Sequence, residues 1–505
     1  MDGVIAFASA ITTLATPGTL FNVVWATLLG IAVGMMPGLT ATLGVALLTT
    51  LTFRMPAGDA ILILICTYVG AIYGGSRTAI LLNIPGTPAN AASALDGFAL
   101  ARQGRAGEAL GIATIGSFLG SLIGMLLLVL IAPQLAEFGL KFQSFEFVWL
   151  AIFGVVIAGR ITALDDPIKG WIAGFLGLLL AQVGQEGIHA HPRFSYGSTD
   201  LAGGLGLLPA LVGAFGFAEI LSVMKQAHYE TVRDAGRRIL PKMRDVTTRW
   251  WTVLRSGGAG TAMGIVPGVG EDMGAWVSYA AARRASREPQ SFGRGSTEGL
   301  LAAETGNNAA VPGAIIPVLT LAVPGSAPAA VLLAAMFIHG VRPGPMIMIE
   351  FPNFVFEVAA MLFWASLAIL VLGLALTRPM LHVLRVPRQY LMPLVFVLCV
   401  VGSFAIASRV FDVWVMLGFG LLGFALREMN YPMAPLVLGI VLGDLLDKNF
   451  RRAMVLSEGS LEPLFTRPIS AVLALLTLAV VLWGIAPVRR GVARLLGRLF
   501  VKGHR

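Results

Sequence analysis

Charge is scarce in this chain. Of its 505 residues only 12% are Asp, Glu, Lys or Arg and 56% are hydrophobic, against about 25% and roughly 45–50% in soluble globular proteins. That balance excludes an ordinary water-soluble fold. Cysteine is scarcer still. Cys66 and Cys399 both lie in apolar stretches, where a free thiol acts as a small buried hydrophobe, so neither a disulfide framework nor a thiolate metal site is expected. No Lys or Arg precedes Arg54, which removes the charged n-region of a cleavable secretory signal and places the first hydrophobic segments in the mature protein. Histidine occurs six times, and His189-Ala190-His191 has no third ligand nearby, so no metal centre is expected there. A Gly-x-x-x-x-Gly-Lys-Ser/Thr loop is also missing, so an ion gradient or a partner must supply any driving force.

What the chain has in abundance is long apolar sequence. Leu110 to Ala132, Phe354 to Leu376 and Ile469 to Ala486 are examples; at about 20 residues per crossing the composition allows roughly ten to twelve membrane helices. The 36 Lys and Arg are unevenly spread. Eight fall between Lys225 and Arg255, four between Arg283 and Arg294, and six between Arg489 and Arg505. Such clustering is the loop bias of the positive-inside rule and predicts cytoplasmic segments, not a nucleic-acid surface.

The chain also repeats itself. Gly30-Ile31-Ala32-Val33-Gly34-Met35-Met36-Pro37-Gly38 returns as Gly260-Thr261-Ala262-Met263-Gly264-Ile265-Val266-Pro267-Gly268. Leu82-Asn83-Ile84-Pro85-Gly86-Thr87-Pro88 likewise pairs with Leu321-Ala322-Val323-Pro324-Gly325-Ser326-Ala327-Pro328, with Gly74 opposite Gly313. Each half thus carries two Pro-Gly steps inside apolar sequence. Proline removes a backbone donor and glycine relaxes the chain, so each step should interrupt a helix. Freed backbone groups cannot face lipid, and four breaks in two matched pairs point to a central site between two halves. A single Pro-Gly would be read as a kink or a close-packing device; four in register favour a site. The segment from Ser256 to Ala282, about 40 Å long if straight, has basic flanks on both sides, which suggests that it enters and returns at Pro267-Gly268; an ordinary kinked crossing is the alternative.

Polar side chains near these breaks supply the candidate chemistry. Glu304, in Ala302-Ala303-Glu304-Thr305-Gly306-Asn307-Asn308, suits Na⁺ coordination or a proton relay, or else a local cap at a membrane boundary. Asn307 and Asn308 fit ion binding or helix packing. Arg77 could grip a carboxylate bidentately or snorkel to the interface. Helix starts after Pro85-Gly86-Thr87 and Pro324-Gly325-Ser326 offer N–H groups to an anion. Glu271 and Asp272, just after Pro267-Gly268, suit a helix dipole or an ion equally.

At these motifs the sequence resembles the large membrane permease subunit, TctA type, of the tripartite tricarboxylate transporter family. The resemblance runs through Pro37-Gly38-Leu39, Tyr73-Gly74-Gly75-Ser76, Asn83 to Pro88, Asp96-Gly97 and Arg102-Gln103-Gly104-Arg105. It continues through Arg193-Phe194-Ser195-Tyr196-Gly197, Phe292 to Ser296, Glu304 to Asn308, His339 to Pro345 and Asp447 to Arg452. It implies a multi-pass permease of the bacterial inner membrane. Its implied partners are a small four-helix membrane subunit (TctB type) and a periplasmic solute-binding protein (TctC type), and its cargo an organic carboxylate such as citrate. Uptake would be driven by Na⁺ or H⁺, with no other cofactor and no enzymatic activity. The sequence departs from the family pattern at Arg77, where a small or apolar residue is expected, at Gly306 for alanine and at Ala322 for glycine.

The expected fold is therefore an all-α polytopic membrane protein with two related, inverted repeats: residues 1–224, a basic linker 225–255, residues 256–488 and a basic tail 489–505. The candidate substrate contacts are Gly38, Thr40, Ser76, Arg77, Asn83, Pro85, Gly86, Thr87, Gly268, Asn307, Asn308, Pro324, Gly325 and Ser326. The candidate ion ligands are Asn83, Glu304, Asn307 and Asn308. A passive anion channel or another solute permease is the alternative function; a membrane-embedded enzyme would need a nucleophile, base or metal constellation that the sequence does not show.

Overall fold

The structure, a computed structural model, describes residues 2–36, 39–163, 166–186, 190–224, 246–376 and 388–484. Pro37-Gly38, His189, most of the basic linker and the basic tail lie outside these residues. The described chain is nearly all helix. Its longer helices are α1 (Asp2–Thr13), α2 (Pro17–Met35), α3 (Ala41–Leu51), α4 (Ala57–Leu82), α5 (Asn90–Leu100), α6 (Ala106–Gly139), α7 (Ser144–Thr162), α8 (Pro167–Leu180) and α9 (Leu207–Ser222). After the basic linker come α10 (Trp250–Ile265), α11 (Gly270–Ala285), α12 (Thr297–Leu321), α13 (Ala327–Ile338), α14 (Phe354–Ala375), α15 (Arg388–Ala407), α16 (Val410–Glu428), α17 (Met433–Leu456) and α18 (Pro468–Gly484). The one sheet among the described residues is a two-residue ribbon pairing Gly184 with Arg193.

Six of these helical stretches are long and apolar enough to cross a membrane, and six shorter apolar helices of 10–17 residues accompany them. Several of the apolar runs are short helices, as the Pro-Gly steps predict: the 11 residues of α3 or the 12 of α13 reach only about half the hydrocarbon thickness.

The chain forms two compact units. The first takes Met1–Leu140 and Gly206–Ala425, the second Lys141–Leu205 and Leu426–Arg505. In the second unit α7, α8, α17 and α18 pack together. Buried Glu146 accepts hydrogen bonds from the Gln143 N–H, Arg467 Nε and Ser470 Oγ, each at 2.8 Å. Arg193 grips Asp447 with both guanidinium nitrogens, at 2.8 and 2.9 Å, the fork geometry that makes Arg–carboxylate pairs strong.

The first unit is built on helix pairs that touch through backbone. A Cβ at Gly34 on α2 would overlap the Ala71 carbonyl oxygen of α4, and one at Gly264 on α10 would overlap the Ala310 carbonyl oxygen of α12. Close approach of this kind stabilises membrane helices where no hydrophobic effect can. The Gly34 and Gly264 carbonyls in turn lie against Gly86 and Gly325 in the two interrupted segments. Beyond the turn at Gly268, whose φ is +72°, α11 runs back antiparallel along α10: Ser278 Oγ donates to the Ser256 carbonyl at 3.1 Å, and a Cβ at Gly274 would lie 3.5 Å from Gly260 Cα.

Helices α4 and α12 end in the same way. Asn83 and Ala322 both adopt left-handed backbone, φ +55°, and the next N–H reaches back six residues, Ile84 to the Thr78 carbonyl and Val323 to that of Pro317. This closure satisfies the last carbonyls of a helix stopped inside the protein. Asparagine tolerates that conformation; alanine does not, at a cost of about 1–2 kcal/mol. The glycine expected at position 322 has its reason here. Ala322→Gly should raise stability by about 1 kcal/mol, less the extra chain entropy of glycine, read as a higher midpoint in thermal unfolding of the detergent-solubilised protein.

The α11–α12 connection is fastened to α5. Asp96 Oδ1 accepts from the N–H groups of Gly293, Gly295 and Ser296 at 2.8–2.9 Å, and Oδ2 accepts from Tyr279 OH at 2.9 Å. Asp96→Ala should leave four donors unpaired, of which the Ser296 N–H and the Tyr279 hydroxyl are buried, costing about 3 kcal/mol, and make the 286–296 loop susceptible to limited proteolysis.

Candidate functional site

Helix α12 is buried along nearly its whole length, yet it carries Glu304, Asn307 and Asn308. The i, i+3, i+4 spacing sets the three on one side of the helix. Glu304 Oε2 accepts from Ser76 Oγ of α4 at 2.8 Å and from Ser117 Oγ of α6 at 2.9 Å. Asn308 Nδ2 donates to Ser117 Oγ at 2.8 Å, and Asn90 Nδ2 of α5 to Ser76 Oγ at 2.9 Å. Asn90 Oδ1 accepts from both the N–H and the hydroxyl of Thr87 in the first interruption, at 3.0 and 2.8 Å.

The direction of every bond in this chain is fixed by its ends. Thr87 N can only donate, so Asn90 turns its oxygen to the interruption and its nitrogen to Ser76 and the Ile72 carbonyl. Asn308 is oriented by the Glu304 carbonyl, which can only accept. Both serine hydroxyls therefore receive amide protons and give their own to Glu304 Oε2, which acts only as an acceptor. The other carboxyl oxygen, Oε1, has no hydrogen-bond partner, although the Ser93 hydroxyl, likewise unpartnered, lies near the same carboxyl. Asn308 Oδ1, the Thr305 hydroxyl and both polar atoms of Asn307 are also buried without partners. Buried polar groups left so are costly. The result is a set of buried, unpartnered oxygens on α12 beside the Glu304 carboxyl, atoms of the kind that suit a hard cation.

A second polar group lies at the other interruption. Tyr68 OH of α4 bonds Glu271 Oε2 at 3.1 Å and Ser326 Oγ at 2.7 Å, and Ser326 Oγ accepts from the Ala329 N–H, capping α13. These contacts also give the helix directions: α4 meets Glu304 of α12 through Ser76, and through the earlier Tyr68 it meets Ser326, which follows Gly325 where the chain folds back beside Ala314, further along α12. The two equivalent helices run antiparallel.

The candidate residues are distributed as follows. Ser76, Thr87, Glu304 and Asn308 join one hydrogen-bonded chain, with Asn307 beside it on α12. Ser326 belongs to the Tyr68–Glu271 group, and Pro324 and Gly325 are buried next to it. Asn83 and Pro85 are exposed and Gly86 is half-buried against Gly34. Thr40 caps α3, accepting from the Leu43 N–H at 3.3 Å. Gly268 makes the α10–α11 turn, and Gly38 lies outside the described residues.

Arg77 is 1% exposed. It does not snorkel: Nε and Nη2 donate to Tyr73 OH, and Nη2 also to the Gly373 carbonyl of α14, with the guanidinium over the Tyr73 ring. None of these partners is a carboxylate. Arg77→Lys, which keeps the charge but loses the planar fork, should weaken the α4–α14 contact and lower the unfolding midpoint. Gly306 also has its reason. A Cβ there would overlap Ser278 Oγ and crowd Ser278 Cβ at 2.5 Å, so the alanine of the family pattern does not fit beside this serine.

Sequence reasoning missed Asn90, Ser117 and Tyr68. The first two stand among small residues in Asn90-Ala91-Ala92-Ser93 and Gly116-Ser117, a weak sign of a polar helix face; nothing marked Tyr68.

Fold and site together define an all-α polytopic membrane protein of the solute-permease kind, with interrupted helices around buried polar side chains. The chain belongs to the tripartite tricarboxylate transporter TctA family, whose model matches residues 20–438, from α2 to the start of α17. Two relatives come from Agrobacterium vitis. An uncharacterized 52.8 kDa protein of the TAR-I ttuC′ 3′ region is 35% identical over 92% of this chain and 93% of its own length. A protein of the TAR-II ttuC′ 3′ region is 33% identical over 45% of this chain and 94% of its own length. No solved structure matches the chain.

Proposed function

We propose that this chain is the permease subunit of a binding-protein-dependent secondary transporter that imports an organic carboxylate, a tricarboxylate such as citrate or a related di- or aromatic carboxylate, together with Na⁺. The observation that carries the cation is Glu304. Its Oε2 is satisfied by two serine donors while Oε1 and the amide oxygens of Asn307 and Asn308 stay unpartnered in a buried site. Oxygen ligands favour Na⁺ over H⁺, because each serine that donates to Glu304 is itself fed by an amide N–H, which does not release a proton to pass along.

The carboxylate would lie between the two interruptions. The N-terminal ends of α5 and α13 bring positive dipole ends there, and Thr87 and Ser326 bring hydroxyls. The inverted arrangement of residues 1–224 and 256–488 is supported by the antiparallel course of α4 and α12 and by the matching Gly34–Ala71 and Gly264–Ala310 contacts. Alternating access would follow from movement of the interrupted segments against the remaining helices. The family resemblance supports a TctB-type membrane partner, a TctC-type periplasmic binding protein and the bacterial inner membrane.

The test is uptake of radiolabelled citrate and a panel of organic carboxylates into vesicles holding the chain and its partners, under Na⁺, H⁺ or no gradient. Saturable accumulation that needs both the binding protein and Na⁺ is expected. Non-saturating, gradient-independent flux would instead make the chain a channel, and no flux of any carboxylate would overturn the cargo.

A further inference from the structure

The Glu304 site and the first interruption are joined by a single amide. We propose that Asn90 is a positioning residue that transmits cation occupancy at Glu304 to the Pro85–Thr87 interruption; this rests on Glu304 being a cation ligand.

A capping asparagine needs only its oxygen, and Asn90 Oδ1 serves Thr87 in that way. The nitrogen does something a cap does not require. It donates to Ser76 Oγ at 2.9 Å and to the Ile72 carbonyl at 3.3 Å, which locks the plane of the amide to α4. Ser76 in turn has one proton and gives it to Glu304 Oε2. The two ends of the relay are thus held by three hydrogen bonds in series, all with fixed direction. Room for it is built in: a Cβ at Gly75 would overlap Asn90 Oδ1 and lie 3.0 Å from Asn90 Cγ. The second interruption lacks this device, because the position equivalent to Asn90 is Ala329, and its hydroxyl, Ser326, pairs with Tyr68 instead.

A cation drawn to Glu304 Oε1 fixes the plane of the carboxyl group. Oε2 then holds Ser76, Ser76 holds Asn90, and Asn90 holds the backbone and hydroxyl of Thr87. With the cation gone the carboxyl can turn about its last bond, and the restraint on Thr87 is lost. Occupancy at Glu304 therefore orders the interruption, and the differential is a coupling free energy between the two places.

The experiment uses the full chain in detergent with Pro88→Cys. Pro88 is exposed at the interruption, and native Cys66 and Cys399 are both buried, so a maleimide reports on residue 88. The parent should label about tenfold more slowly with saturating Na⁺ than with choline, a coupling in the ordinary range. Asn90→Ala should bring that ratio to about one while equilibrium binding of radiolabelled Na⁺ persists. A purely structural Asn90 would not separate labelling from binding in this way. The proposal is overturned if the parent binds Na⁺ without slowing, or if Asn90→Ala keeps the parent's labelling ratio. The underlying reading fails separately, if the parent binds no Na⁺ or if Glu304→Gln binds it as the parent does.

Discussion

Glu304→Gln should abolish Na⁺-driven carboxylate accumulation, lowering initial uptake by about 100-fold or more at fixed Na⁺, while the protein still folds. The size follows from what the substitution removes. Loss of a mere supporting group costs a metal site about 10–100-fold in affinity, and Glu304 is the only charge in the Ser76–Glu304–Ser117–Asn308 group. Glutamine keeps the volume and one carbonyl oxygen, so the two serine bonds at 2.8 and 2.9 Å can re-form. Its amide nitrogen then sits where Oε1 was and presents protons to any cation. Raising external Na⁺ should not restore uptake. Glu304→Asp, which retains the charge but withdraws it by one methylene, should restore part of it with a raised Na⁺ requirement. If Glu304→Gln transported normally, the carboxylate would be a packing group and the ion site would lie elsewhere.

Gly264→Val should have the largest effect on the fold, about 3 kcal/mol or more, enough to deplete the folded protein from membranes. The side chain would meet backbone, not side chains: the Ala310 carbonyl oxygen, the Ala314 nitrogen at 2.8 Å and the Gly313 carbonyl carbon at 2.9 Å. No rotamer change or trimming of a neighbour relieves such an overlap, so α10 and α12 would have to part. Gly325, which rests against the Gly264 carbonyl, would move with them. The matching substitution Gly34→Val should do the same to α2 and α4. By contrast Gly258→Val, on the same helix but with nothing within 4 Å of its Cβ position, should leave folding intact. The readout is the monodisperse fraction in size-exclusion chromatography after solubilisation, and equal yields for Gly258→Val and Gly264→Val would contradict the close-packing account.

Much of this architecture was legible because it rests on local chemistry. Pro-Gly steps at Pro85-Gly86, Pro267-Gly268 and Pro324-Gly325 stop helices wherever they occur, and Gly30-Gly34 and Gly260-Gly264 marked the repeat, though that their faces pack on another backbone emerged only from the structure. Glu304 stood out since an acid in apolar sequence needs a reason. Its partners were harder to see: Ser76 was a candidate for the substrate and Ser117 did not stand out. They lie 228 and 187 residues away from Glu304, and a serine on a small-residue helix face is common whether or not it meets a carboxylate. Asn90 was hidden for a further reason, that its oxygen performs an ordinary local task while its nitrogen performs a distant one. Arg77 shows the opposite failure: its charge drew attention toward an anion, and its Gly373 partner, 296 residues on, could be found only from the packing of α4 on α14.

The claim on which the account turns is that Glu304 and its neighbouring amide oxygens hold a sodium ion, and equilibrium binding of radiolabelled Na⁺ to the purified chain tests it most directly. The account predicts saturable binding to the wild-type protein in the absence of carboxylate, lost in Glu304→Gln and weakened in Asn308→Ala, with Arg77→Lys unchanged. Saturable binding that survives Glu304→Gln, or no binding by the wild-type chain, would contradict it.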